Sequence, residues 1–330
     1  MTGFVEFAER IAYIDNTTPI VDLVMMLDQR PHATISNAFD EPMFAAETRI
    51  ADDIFISPVD RGLGDLILRA CDPPGENFAP IRSGYRPLLA IARRPAPRDD
   101  GLSVFDADRR LQMAVALTRL IRPTSVGLRY SVRIIGDPIS GPRQVCPGPV
   151  SHMDAYAWTS YPDRDWIAPS DADAIRELCC AYFALPREPE HQRRLNLKLT
   201  RALYYHEYAA HHREIDVRCT LIATALEALL NTNPVRATWQ FTSRIRRLAV
   251  DVGAEKVSGA RATAMYELRS RLAHGVGLGN ATPEHFAIYA HMESVLRRCL
   301  AKSILEPQFA ARFDTADSID AAFPLPSSIT

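Results

Sequence analysis

The chain has 330 residues, of which 47% are hydrophobic and 24% charged, and its formal net charge is −2. That is ordinary globular composition with room for two domains, and it excludes a protein that attracts polyanions by bulk charge alone. No run approaches eighteen apolar residues, and the first ten (MTGFVEFAER) lack a basic head before an apolar core, so a soluble cytoplasmic protein with no membrane partner is expected.

The six cysteines, Cys71, Cys146, Cys179, Cys180, Cys219 and Cys299, show no C-x-x-C spacing and are read as reduced and mostly buried. For adjacent Cys179 and Cys180, two small apolar residues in a buried helix are favoured over a strained redox pair.

Residues 1–167 read as a mixed α+β domain. The apolar spacing over 4–14 suits a short helix, and 19–27 suits another with Pro19 at its start. Residues 49–57 alternate as a strand does, and 87–92 form a short apolar run that predicts a second strand. A helix is predicted over 106–121, with Leu111, Val115, Leu117 and Leu120 inward and Pro123 ending it. A strand follows over 126–135, and the Pro/Gly-rich stretch 136–149 reads as loop. Residues 153–166, with two tryptophans and several aspartates, receive no assignment.

From 168 to 312 the pattern is helical. Ser170-Asp-Ala-Asp173 starts a helix in the manner of a capping box, and further helices are predicted over 189–210, 214–230, 237–250, 257–274 and 282–304. Short connections imply antiparallel neighbours and hence a bundle, so the fold class is mainly α. Residues 313–330 read as a polar tail or arm. Between Ser170 and Phe309 there are 19 lysines and arginines against 15 aspartates and glutamates, so the helical part is the basic part. A surplus of that size supports only weak, salt-sensitive attraction to nucleic acid.

The most informative stretch is Tyr266-Glu-Leu-Arg269-Ser270-Arg271-Leu-Ala-His274-Gly275. Five residues amount to roughly 140° of helical rotation, so Arg269 and His274 would not share a face if the helix simply continued. Gly275 is placed to end the helix in a left-handed conformation, which makes His274 the terminal residue, where the helix dipole favours a cation. Such a pair suits phosphoryl chemistry on RNA. The plainer alternative is a histidine that merely precedes a C-terminal glycine, with arginines there as dipole partners. Upstream, Glu227 is a lone carboxylate inside an apolar helix. It either faces solvent or meets a cation such as an arginine of the bundle.

In three features the chain resembles the HEPN superfamily, and within it the Apea-like group. These are Ala225-Leu-Glu227-Ala-Leu-Leu230, then Phe241-Thr-Ser-Arg244-Ile-Arg-Arg-Leu248, then the Arg269-x4-His274 motif. The resemblance covers about 175–305, and residues 1–167 match nothing of the kind. It implies a metal-independent endoribonuclease without cofactor, acting as a homodimer in which two Arg/His motifs face each other. The products would carry 2′,3′-cyclic phosphate and 5′-hydroxyl ends, and the setting would be phage defence or toxin-like RNA cleavage.

On that resemblance Arg269 and His274 are the catalytic residues, Ser270 and Glu227 support them, and Arg271 and Arg244 contact RNA. The N-terminal domain would sense, restrain or select, with a regulatory partner of its own. Ser270 departs from other HEPN groups, in which Asn, Asp or His commonly follows the arginine. The alternative is therefore a non-catalytic HEPN module for dimerisation or for RNA or nucleotide binding.

Other candidates are weaker. His206-Glu207-Tyr-Ala-Ala-His211-His212 fails the H-E-x-x-H spacing, because His206 and His211 are five apart, and is read as a solvated, histidine-rich helix end rather than a metal site. Arg61-Gly62-Leu-Gly64-Asp65 lacks the residues of a phosphate-cradling loop, and no Ser or Cys sits in a G-x-S-x-G setting.

Overall fold

The computed structural model describes residues 20–27, 44, 46–58, 88–93, 104–124, 127–135, 144–147, 167–187, 194–233 and 235–326. The described residues are mainly helical, and the chain divides into two compact units. One comprises 1–28, 34–115 and 127–153; the other comprises 29–33, 116–126 and 154–330. Helix α1 (Val104–Ile121) therefore contributes its first twelve residues to one unit and its last turns to the other. A single boundary near 168 does not capture this.

The first unit carries a six-stranded sheet, β1 Ile20–Leu27, β2 Thr48–Arg49, β3 Ile54–Pro58, β4 Leu88–Arg93, β5 Gly127–Ile135 and β6 Gln144–Pro147, in the order β2-β3-β4-β1-β5-β6. All pairings are antiparallel. Residues 20–27, read above as a helix, form the central strand. In backbone register, position 22 pairs with 93 of β4 on one side and with 133 of β5 on the other. Eight residues that are apolar except for Asp22 show no clear period that separates strand from helix, and pairing on both edges decides it. Residues 144–147 pair with β5 and are strand, within the stretch read as loop. Where 49–57 alternates, the chain turns: Ile50 and Ala51 donate to the Ile54 carbonyl, splitting the segment into β2 and β3. Arg110 of α1 donates Nε and Nη2 to the Asp53 carboxylate at 2.8–3.0 Å, both side chains largely buried. The helix read over 4–14 and the segments 153–166 and 188–193 lie outside the described residues.

The second unit is a helical bundle, formed by α2 (Ala172–Ala184), α3 (Leu197–His211), α4 (Ile215–Leu230), α5 (Ala237–Asp251), α6 (Gly259–Ala273), α7 (Pro283–Leu305) and the short α8 (Pro307–Ala310) and α9 (Ala316–Ala322). The starts of α3, α6 and α7 carry side-chain caps. Asn196 accepts from the Leu199 N–H at 2.9 Å, and Ser258 accepts from the Arg261 N–H at 3.1 Å. At Thr282-Pro283, the threonine accepts from the His285 N–H, and the His285 ring accepts from the Thr282 N–H at 3.2 Å. The cap before α2 is Asp171, whose carboxylate takes the Ala168 N–H at 3.0 Å. Arg297 of α7 donates to the Leu120 and Ile121 carbonyls, closing the end of α1.

Helix α4 is the hub of this unit. It packs against α3, α5, α6 and α7, and its Ile215, Cys219, Ile222, Ala223, Ala225, Leu226, Leu229 and Leu230 are buried along one arc roughly 160° wide on a regular helix. The opposite face is half-buried, with Val217 exposed, so this is the wide apolar stripe of a core-facing helix. Cys179, Cys219 and Cys299 are free and buried, whereas Cys180 is free and exposed. No described helix is long and apolar enough to cross a membrane.

The segment read as a polar tail is packed. Thr315 caps α9, Ile319 and Phe323 are fully buried, and Phe323 stacks on Phe313 with ring centroids 5.8 Å apart. Two apolar residues at i and i+4 suffice to seat a seven-residue helix on an existing core.

Candidate functional site

The end of α6 is built as its sequence requires. Gly275 adopts φ +76°, its N–H donates to the Leu272 carbonyl at 3.0 Å, and the Val276 N–H donates to the Arg271 carbonyl at 3.0 Å. These paired bonds around a left-handed glycine form a Schellman closure, with His274 as the cap residue. His274 is exposed, as are Arg271 and Val276, while Ser270 is half-buried. The following loop is held down by Asp216 in the first turn of α4, whose carboxylate accepts from the Leu278 N–H at 3.1 Å, and Leu278 itself is buried. His274 thus stands on a short span fixed at both ends. Asp216 was not singled out in the sequence, where an acid in a first helical turn is an ordinary feature.

Arg269 lies one turn back on α6. Its Nη2 meets Glu227 Oε2 at 2.5 Å, with side-chain exposures of 29% for the arginine and 14% for the glutamate. Of the two alternatives for Glu227, the structure takes the cation. The lone carboxylate of the apolar hub helix is compensated by an arginine of the neighbouring helix, and Asn231 Nδ2 approaches its other oxygen at 3.5 Å. A guanidinium has five N–H donors, so a carboxylate on Nη2 leaves the remaining edge available while fixing the plane of the group. The stack of Phe241 on Tyr266, centroids 5.6 Å apart, holds α5 against the first half of the motif.

Arg244 is not part of a nucleic-acid surface. Its side chain is 1% exposed, and its donors are consumed within the chain. Nε bonds the Phe323 carbonyl at 3.1 Å, Nη1 bonds the Leu230 carbonyl, Thr232 and Gln240, and Nη2 pairs with Asp320. It sits on the buried stripe Phe241, Arg244, Ile245, Leu248, whereas Arg246 and Arg247 point outward. Gln240, also buried, folds the connection between α4 and α5 by accepting from the Thr232 N–H and donating to the Asn233 carbonyl.

The histidine cluster of α3 is not a solvated helix end either. His206 is 4% exposed, and its Nε2 lies 3.0 Å from Glu293 of α7, itself buried and 3.4 Å from Arg297. Glu207 pairs with buried Arg119 and lies 2.9 Å from His211. Burial by itself would raise the Glu207 carboxyl; the Arg119 charge and the His211 contact outweigh it and hold it at about 2, below the ordinary 4.5. Burial likewise pushes the Tyr289 hydroxyl up to about 12, although Arg218 donates to it at 2.7 and 3.0 Å. Among the described residues no group of three His, Cys, Asp or Glu side chains is placed to hold a metal ion.

No family model matches the chain, and no curated protein or solved structure matches it either.

Proposed function

We propose that this chain is a cytoplasmic RNA-cleaving protein of the HEPN type, with Arg269 and His274 as its reacting groups. The observation that carries the reading is the build of the α6 terminus: an exposed imidazole on a glycine-closed helix end, one turn beyond an arginine oriented by Glu227. In this scheme the 2′-hydroxyl attacks the adjacent phosphorus, the bond to the 5′-oxygen breaks, and a 2′,3′-cyclic phosphate and a 5′-hydroxyl result. His274 exchanges protons with the attacking or departing oxygen. Arg269 neutralises charge developing on the non-bridging oxygens, with Glu227 as its positioning residue. Arg271 supplies a phosphate contact and Ser270 a hydroxyl at the same helix end. Two chains related by a twofold axis would present two such ends to one strand, in a role such as phage defence or a toxin system.

Incubation of a mixed single-stranded RNA pool with the full chain in EDTA tests this. Cleavage with cyclic-phosphate ends is expected, and His274→Ala should abolish it. Equal cutting by parent and variant would remove the assignment. A second reading rests on the closeness of the Arg269–Glu227 pair, which already gives the guanidinium a partner: a HEPN module that binds RNA or dimerises without cleaving. In that case His274→Ala alters binding or self-association, and no preparation cuts RNA.

A further inference from the structure

Helix α3 has an outward face that nothing in the scheme above uses. Leu197, Arg201, Tyr204 and Tyr208 fall within a stripe roughly 60° wide on a regular helix. All four are exposed, the tyrosines at 45% and 57%, and the rings are four residues apart. Each ring is about half covered in the folded chain, which leaves two large aromatic surfaces one helical turn apart open to solvent side by side. Arg201, beside them, has no ion-pair or hydrogen-bond partner among the described residues.

Arg201 is the charged residue of this stripe. The helix contains a single acid, Glu207, and it is turned away to Arg119 and His211. Asp314 stands at the opposite end, bonded by Asn196 just before the helix starts. From Arg201 to Tyr208 the stripe therefore offers two half-open ring faces and a cation that no described residue pairs. That combination suits a strand carrying flat bases and phosphates: bases stack on tyrosines irrespective of sequence, and arginine takes the phosphate between them. A protein partner matched to the same face would need an acid for Arg201 and apolar area beyond two rings.

We propose that Arg201, Tyr204 and Tyr208 form a single-stranded RNA track, separate from the α6 terminus, that binds the substrate of that site away from the scissile bond. The inference deepens the RNA-cleavage reading and rests on it for the identity of the strand. Stacking on two rings gives sequence-tolerant affinity.

The test is fluorescence anisotropy of a labelled oligouridylate with the full chain carrying His274→Ala, which removes cutting during the titration. Tyr204→Ala and Tyr208→Ala should each weaken binding roughly ten-fold, with an unchanged salt dependence. Tyr204→Phe and Tyr208→Phe should bind within about two-fold of the parent, because the ring faces remain. Arg201→Gln should make the slope of log K against log salt shallower by about 0.7, the value for one lost phosphate contact on a single strand. Alanine variants that bind like the parent overturn the track. So do variants that change the sedimentation coefficient while leaving RNA affinity intact, since the face would then be a protein interface. Binding that responds as described in a chain that never cuts RNA would retain the track and discard the nuclease. Cutting by the parent with unaffected binding in the stripe variants would do the reverse.

Discussion

Arg244→Met is the most discriminating perturbation of the bundle, because it separates a structural arginine from an RNA-binding one. The side chain is buried, and removing its guanidinium leaves the carbonyls of Leu230 and Phe323 without that donor and Asp320 without its cation. Each orphaned buried acceptor costs about 1–3 kcal/mol. Asp320 adds less, since its side chain is 53% exposed and regains water. The sum is a loss of about 3–5 kcal/mol, the usual cost of breaking a buried pair from one side. In urea unfolding followed by circular dichroism the midpoint should fall by roughly 1–2 M, whereas Asp320→Asn should lose less than about 1 kcal/mol. At low denaturant, where Arg244→Met is still folded, its RNA affinity should equal the parent's. An unchanged midpoint with salt-dependent loss of RNA binding would show that the guanidinium meets phosphate after all.

Three further outcomes are expected. Glu227→Gln should lower kcat roughly ten-fold with KM little changed and stability reduced by about 1 kcal/mol, as for loss of a partly exposed pair; a fall in activity that merely follows the unfolded fraction in parallel melts would contradict a positioning role. Gly275→Ala forces φ +76° on a residue with a Cβ, although nothing lies within 4 Å of that atom; the cost is strain alone, about 1 kcal/mol and a few degrees of Tm in a thermal melt, with Gly275→Asn milder. Glu207 is held at about 2 when folded against 4.5 when free, so its contribution is fully present above about pH 4.5 and is lost as pH falls from there toward 2. That contribution is about 3 kcal/mol, and Glu207→Gln should flatten the acid limb of stability measured by denaturant titration at successive pH values.

Several helix ends are legible where an apolar stripe meets a capping residue, but the helix read over 189–210 begins only at Leu197, behind an Asn196 cap that the reading passed over. Thr282-Pro283 and Gly275 marked ends to within a residue, and the predicted helix over 237–250 differs from α5 by one residue. What the sequence hid were polar residues lying on a buried stripe. Arg244 occupies the i+3 position between Phe241 and Leu248, and His206 falls in line with Leu199, Ala202, Leu203 and Ala209. Both were read by chemistry, as a phosphate contact and a solvated histidine, when their phase on the helix already placed them inside. Phase is the signal that would have found them, since a polar group on the inner face must meet a buried partner. The Glu227–Arg269 pairing was half visible: the carboxylate's isolation demanded a cation, but only the crossing of α4 and α6 selects Arg269. For β1 no local signal existed. Pro19 and an octet apolar but for Asp22 fit a helix start equally well, and its identity depends on partners far along the chain.

That dependence has a kinetic side. The central strand of the sheet must wait for residues 88–93 and 127–135 before either of its edges is satisfied, so most of its contacts are of high contact order and the sheet should assemble slowly. Until then Ile-Val-Asp-Leu-Val-Met-Met-Leu is an eight-residue segment with one charge and no proline, the composition that self-associates when left unpaired. Refolding yield should therefore fall with protein concentration, and the losses should trace to this segment rather than to the helices.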